Sequence, residues 1–193
     1  HPTSDDAADA MLQLGHMAGE FAGEDEVAER WYRRVANEFP RSTAGKKAAG
    51  ALVRLGSVGK PIKLGGKTLA GRQAQLTAAP FRGRHVVVHY WASWSNPAEE
   101  IAELARLKNA YGGKLAVLGV NLDTSAGQAR DAAKASGAAW PHLFDERGLD
   151  GALATDMGVM TLPLMLVVDD RGRVVNRNVY TADLEAELKR VLR

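Results

Sequence analysis

The sequence predicts an α/β domain behind an all-helical N-terminal region, and three observations carry that reading. Residues 1–57 place their apolar side chains only at helical spacing. From about residue 60 onward, runs rich in β-branched residues alternate with amphipathic stretches of helical length. Near the C-terminus two strand-like runs are joined by the turn Asp169-Asp170-Arg171-Gly172 and followed by a last helix. Such an order requires a mixed central sheet flanked by helices.

The elements follow one another clearly. Thr3-Ser4-Asp5-Asp6 supplies N-caps and early acidic residues for a first helix carrying Met11, Leu12, Leu14, Ala18 and Phe21. Gly23 breaks it. A second helix from about Glu24 has the stripe Val27, Ala28, Trp31, Tyr32 and Val35 and stops before Pro40. Ser42 or Thr43 caps a third, which runs through Ala48, Ala49, Ala51, Leu52 and Leu55 to Gly56. The first two helices with their glycine turn and closing proline resemble a single tetratricopeptide-type hairpin, and a plain helical extension stays open beside it. One such unit cannot bury both its faces, so it is expected to pack on its neighbour or on upstream sequence.

Ser57–Pro61 reads as the junction, and residues 58–66 as linker and first edge strand, with Ile62-Lys63-Leu64 and Gln73–Leu76 as short strands. Residues 67–193 form the α/β domain. Val86–Trp91 and Leu115–Val120 read as buried strands, Pro97 onward as a helix carrying Ile101, Leu104 and Leu107, and 125–136 as an Ala-rich helix. Trp140–Phe144 is extended and Leu149–Met157 a short helix; Leu164–Val168 and Val174–Asn178 make the closing hairpin, and Ala182–Leu192 the final helix.

Composition narrows the function. Hydrophobic residues make up 46% and charged residues 25% of the 193, enough apolar surface for a core and against disorder. The net charge of +2 arises from 25 basic and 23 acidic residues with no run of five like charges, so neither nucleic acid nor a lipid surface is expected as partner. There is no cysteine, which removes disulfides, thiolate zinc sites and thiol catalysis together. The apolar runs are far shorter than a membrane span. The start His1-Pro2 reads as a mature or trimmed fragment whose targeting segment, where one exists, lies upstream.

The chemistry-bearing segment is Trp91-Ala92-Ser93-Trp94-Ser95-Asn96-Pro97-Ala98, where a buried strand hands over to a helix. It resembles the thioredoxin-superfamily segment Trp-Ala-x-Trp-Cys-x-Pro-Cys, and is most similar to that of TlpA-like, AhpC/TSA (redoxin) thiol–disulfide oxidoreductases. Gly119-Val120-Asn121-Leu122-Asp123 is similar to the family's second central strand. Gly158-Val159-Met160-Thr161-Leu162-Pro163 is similar to its cis-proline segment, and 166–175 to the hairpin that follows. The resemblance covers about two thirds of the chain and implies a thioredoxin fold. In active relatives a first cysteine at the helix N-terminus attacks as thiolate and a second resolves the mixed disulfide. Those positions are Ser95 and Ala98 here. A hydroxyl and a methyl cannot exchange with a disulfide. Family positions that often hold Glu and Pro are Ile101 and Glu103, departures clustered on one helix that favour natural loss over engineered replacement.

Other residues weigh less. His89 falls where thioredoxin places a buried carboxylate beneath the disulfide; a core histidine satisfied by one hydrogen bond is the favoured reading over a functional titrating group. His85 and His89 share a strand face but stand ~13 Å apart, and His142 belongs to another strand, so no metal site is expected. Ser95 before Asn96-Pro97 is expected to act as an N-cap rather than a hydrolase nucleophile. One of Trp91 and Trp94 belongs to the core, with Trp94 at the exposed tip, and Met157, Met160 and Met165 fill core space.

Two main functions follow. The first is a non-catalytic module that docks a protein or extended peptide segment in the groove of Trp94, Ser95, Asn96, Pro97, Leu162 and Pro163, as the resemblance implies, with the helical hairpin as a second contact surface. The second is a thiol–disulfide oxidoreductase whose cysteines were replaced by engineering. The peroxiredoxin pattern Pro-x-x-x-Thr-x-x-Cys is not recognisable. A stable spacer in a larger extracytoplasmic protein is a third reading. No cofactor is implied, the resemblance suggests a place outside the cytoplasm, and the sequence gives no oligomeric state.

Overall fold

A computed structural model of the chain describes residues 4–192, so Thr3, read as a possible cap, lies outside the described residues. In chain order the first elements are α1 (Asp5–His16), α2 (Asp25–Glu38), α3 (Thr43–Leu55), β1 (Gly65–Lys67), β2 (Gln73–Gln75) and β3 (His85–Trp91). Then come α4 (Ala98–Tyr111), β4 (Leu115–Asn121), α5 (Ala126–Ala135) and β5 (His142–Phe144). The chain closes with α6 (Ala152–Thr155), β6 (Leu164–Val168), β7 (Val174–Asn176) and α7 (Thr181–Val191). Contacts gather these into two compact units: the chain up to Gly56 with Leu149–Met160, and Ser57–Gly148 with Thr161 to the C-terminus.

In the first unit Ser4 caps α1 and Ser42 caps α3, the Ser42 hydroxyl accepting from Gly45 N–H at 2.9 Å. The core is made of Ala8, Leu12, Ala18, Ala28, Tyr32, Val35, Ala44, Ala48 and Ala51. Small residues let the helices approach closely; a Cβ on Gly15 would stand 2.8 Å from the Tyr32 ring. The expected α1 stripe is only partly the buried one. Leu12 and Ala18 are inside, but Leu14 and Phe21 are exposed, because the inward face runs through Ala8, Leu12 and Gly15 and α1 then passes into a π-helical turn at Met17–Phe21. Residues 149–160, read from the sequence with the α/β region, pack in this unit: a Cβ on Gly50 would meet the Thr155 carbonyl at 1.9 Å, and Arg54 Nε donates to Met157 O at 3.1 Å. Arg54 also pairs with Glu20 at 2.6 Å.

The second unit is built on a five-stranded sheet in the order β5-β4-β3-β6-β7. β3, β4 and β5 run parallel, and β6 and β7 are antiparallel to their neighbours. This is the mixed sheet the sequence predicts, and its central strands read as continuous apolar runs because both faces are covered. On one face Val87, Trp91, Val117, Met165 and Val167 pack against Ile101, Leu104 and Leu107 of α4 and Leu184 and Leu188 of α7. Met157 and Met165 are buried, and Met160 is half-buried.

Two edge details differ from the sequence reading. Ile62 and Leu64 are buried anchors, and the ladder forms one step later, at β1, where a Cβ on Gly65 would stand 2.9 Å from Ala74 O. The expected junction lies along β7: Gly59 N–H donates to Val174 O at 2.8 Å and Val174 N–H to Lys60 O at 3.0 Å.

Candidate functional site

Register places the site. Tyr90 pairs with Leu164, so the chain leaving β3 at Trp91 and the chain entering β6 through Pro163 meet at the same end of the sheet. The Leu162–Pro163 peptide is cis. Between β3 and α4 the segment Ser93–Ser95 makes one 3₁₀ turn.

That turn is held from the neighbouring strand. Asp123, just beyond β4, is buried and accepts from Ser93 N–H at 3.0 Å and from the Ser93 hydroxyl at 2.7 Å. Asn121 is also buried; its Nδ2 donates to Asp123 at 2.8 Å and its Oδ1 accepts from Asp123 N–H at 3.1 Å. Leu122 N–H closes the set on Trp91 O at 2.9 Å. Ser93 and Asp123 are the positions that reading the sequence missed as a pair; thirty residues apart, they carry no local signal.

Ser95 behaves differently from expectation. Its hydroxyl donates to Ala92 O at 2.8 Å and accepts from Ala92 N–H at 3.4 Å, so it does not cap α4. Pro97 occupies the cap position, with its carbonyl accepting from Ile101 N–H at 3.0 Å. The reason lies at Asn96, whose left-handed backbone (φ 54°) ends the 3₁₀ turn and sets Ser95 apart from the helix. Its proton is committed to a carbonyl rather than to a base, so it is not an activated nucleophile. Ala98 is the first residue of α4 and is exposed. The family Glu position, Ile101, is fully buried in the core, and Glu103 is engaged by Arg106.

Of the expected groove residues, Trp94 is 60% exposed, Asn96 and Pro163 are exposed, Ser95 and Leu162 are half-buried, and Pro97 is buried. Trp91 is the core tryptophan of the pair. Beside Ala98 in the chain, half-buried Glu100 has its carboxyl raised above the ordinary value, chiefly by burial.

His89 corrects a second expectation. It is fully buried, but neither ring nitrogen has a hydrogen-bond partner among the described residues. Its ring lies parallel to Trp91, with centroids 6.5 Å apart. Burial, helped by the nearby His142, pushes its pKa down to about 3, so it is neutral. Gly119 is the strand partner of both His89 and His142, and its missing side chain makes room: a Cβ there would lie 2.0 Å from His142 Nδ1. His142 is satisfied; Nδ1 accepts from the Trp91 indole at 3.1 Å, which leaves Nε2 as donor to Ala138 O at 3.1 Å. Among the described residues no cluster of three metal-ligating side chains occurs and no helix is long and apolar enough to cross a membrane.

The comparisons agree with this architecture. A family model described as Redoxin matches residues 37–192. A thiol–disulfide oxidoreductase of Bacteroides fragilis is 28% identical, with a TM-score of 0.62 over 67% of this chain and 97% of that one. The thioredoxin domain of a Bacteroides vulgatus thiol–disulfide oxidoreductase is 18% identical at a TM-score of 0.62, covering 69% and 95% of the two chains. A secreted thiol–disulfide isomerase from Corynebacterium glutamicum is 23% identical at a TM-score of 0.54, covering 69% and 83%. No curated protein sequence matches the chain. The fold of the second unit is the thioredoxin fold.

Proposed function

The chain belongs to the Redoxin family, and from that premise we propose that its thioredoxin-fold region is a non-catalytic module that binds an extended protein segment. The observation that carries this is the state of the two positions where family chemistry resides. Ser95 turns its hydroxyl onto Ala92 O, and Ala98 offers only a methyl. Dithiol–disulfide exchange needs an attacking thiolate and a resolving thiol, and the chain has neither. The turn through those positions is nevertheless anchored from Asp123, and Trp94 and Pro163 are exposed. An exposed indole at the end of the sheet suits an extended ligand. The helical N-terminal region, whose first two helices resemble a tetratricopeptide-type hairpin, supplies a second protein-contact surface in this reading. A place outside the cytoplasm fits it, as for the secreted isomerase of similar fold.

The test is a pull-down with the full chain under oxidising and under reducing conditions, beside Trp94→Ala. Partners captured equally in both conditions and lost with Trp94→Ala support the reading. The family's own activity favours the second reading, a disabled oxidoreductase, and Ser95→Cys with Ala98→Cys separates the two. The binding-module reading expects insulin reduction to stay at background, because Asn96 holds position 95 off the helix terminus that lowers a thiol pKa. Activity at the level of ordinary relatives would overturn it.

A further inference from the structure

Away from the Ser95 loop, the second unit carries a cavity of about 670 Å³ between the β1–β2 ribbon, α5 and the segment leading into β5. Its size is that of small-molecule sites. Its wall includes buried Trp140, Ala133 and His142, with Thr68 at the ribbon, and Arg72 and Arg130 are also among its lining residues. No Asp or Glu lines it. Among the described residues neither arginine has an acidic partner; Arg130 reaches only the Leu69 carbonyl, at 3.4 Å. Arg33, Arg106, Arg147 and Arg190, by contrast, are paired with nearby carboxylates. The two in the cavity wall place unneutralised charge beside an apolar floor.

We propose that this cavity binds a small organic acid, a carboxylate carried on a flat apolar body. Guanidinium groups take a carboxylate through paired, charge-assisted hydrogen bonds. Trp140 and the alanines give the body a flat apolar wall. His142 contributes shape rather than charge: burial lowers its pKa, and both nitrogens are committed to Trp91 and Ala138. The site is separate from the proposed peptide groove, and either assignment can fail without the other.

The experiment titrates the full chain calorimetrically with 2-naphthoate and with its uncharged analogue 2-naphthalenemethanol, repeating both on the double variant Arg72→Gln/Arg130→Gln and on Ala74→Leu. One-to-one binding of naphthoate is expected, weakened by about tenfold or more without the charge on the ligand or with both arginines replaced. Ala74→Leu, which adds bulk to the lining, should weaken acid and alcohol alike. Equal binding of acid and alcohol, retention in the double arginine variant, or no saturable binding each overturns the proposal. The arginines are exposed, so circular dichroism spectra of the variants should match the parent.

Discussion

Two buried polar regions, one within the strand that leads into the Ser95 loop and one at the end of its neighbour β4, are built in opposite ways. Around Asp123 every polar contact is answered: Ser93 gives two hydrogens, Asn121 gives and takes, and the backbone closes the ring. At His89, six residues before Ser95, an imidazole sits fully buried with no answer at either nitrogen. The first region is a frame that holds the loop whatever residue occupies position 95. The second is a standing cost, since a buried polar atom without a partner forfeits its hydration for nothing in return. Together they say that loop shape in this chain is set from β4 and not by positions 95 and 98.

The largest test of that contrast is Asp123→Ala. It strands the Ser93 N–H, the Ser93 hydroxyl and the Asn121 amide together, and should cost about 3–5 kcal/mol in urea unfolding. A loss under about 1 kcal/mol would show that the frame does not bear the load assigned to it. Next comes His89→Leu, a swap of similar volume, expected to stabilise by about 1–2 kcal/mol at neutral pH.

The same variant should alter the response to acid. His89 has an ordinary value of 6.5 and a folded value of about 3, so between these pH values the unfolded chain binds a proton that the folded one refuses. The penalty of burying it is therefore smallest above pH 6.5 and grows as pH falls toward 3. His142, lowered by burial, acts in the same direction. Glu103, Glu185 and Glu187, held below 4.5 by arginine and lysine partners, join only in more acid solution. Unfolding measured between pH 6.5 and 4.5 should thus show a shallower slope in His89→Leu, by up to ~1.4 kcal/mol per pH unit. An unchanged slope would mean that the buried ring finds a partner after all. The smallest effect is expected for Ser95→Ala, which removes one bond to Ala92 O at a half-buried loop and should cost no more than about 1 kcal/mol. A cost matching that of Asp123→Ala would move the loop's anchor from β4 to position 95.

The order of elements was legible because periodicity reports burial directly: β6 begins and ends where its apolar run does, and β3 gains only His85 at its start. Legibility failed where the deciding partner is distant. Ser95 followed by Asn-Pro has the local form of a cap, yet the chain uses Asn96 as a left-handed break. The π turn after α1 redirected a stripe whose spacing was helical. His89 was readable as buried, but whether a neighbour would satisfy it depended on β4, where Gly119 supplies no side chain.

The amino-acid order alone determined the fold class, the burial of the central strands and the want of any thiol, because hydrophobic period and residue composition are local properties of a chain. Tertiary structure decided the rest. It chose which of three polar groups near one loop would be paired, joined Trp91 to His142 across 51 residues, and grouped Leu149–Met160 with the N-terminal helices. Hydrogen bonds and close packing act over a few ångströms of space, and that proximity exists only once the strands have found their register.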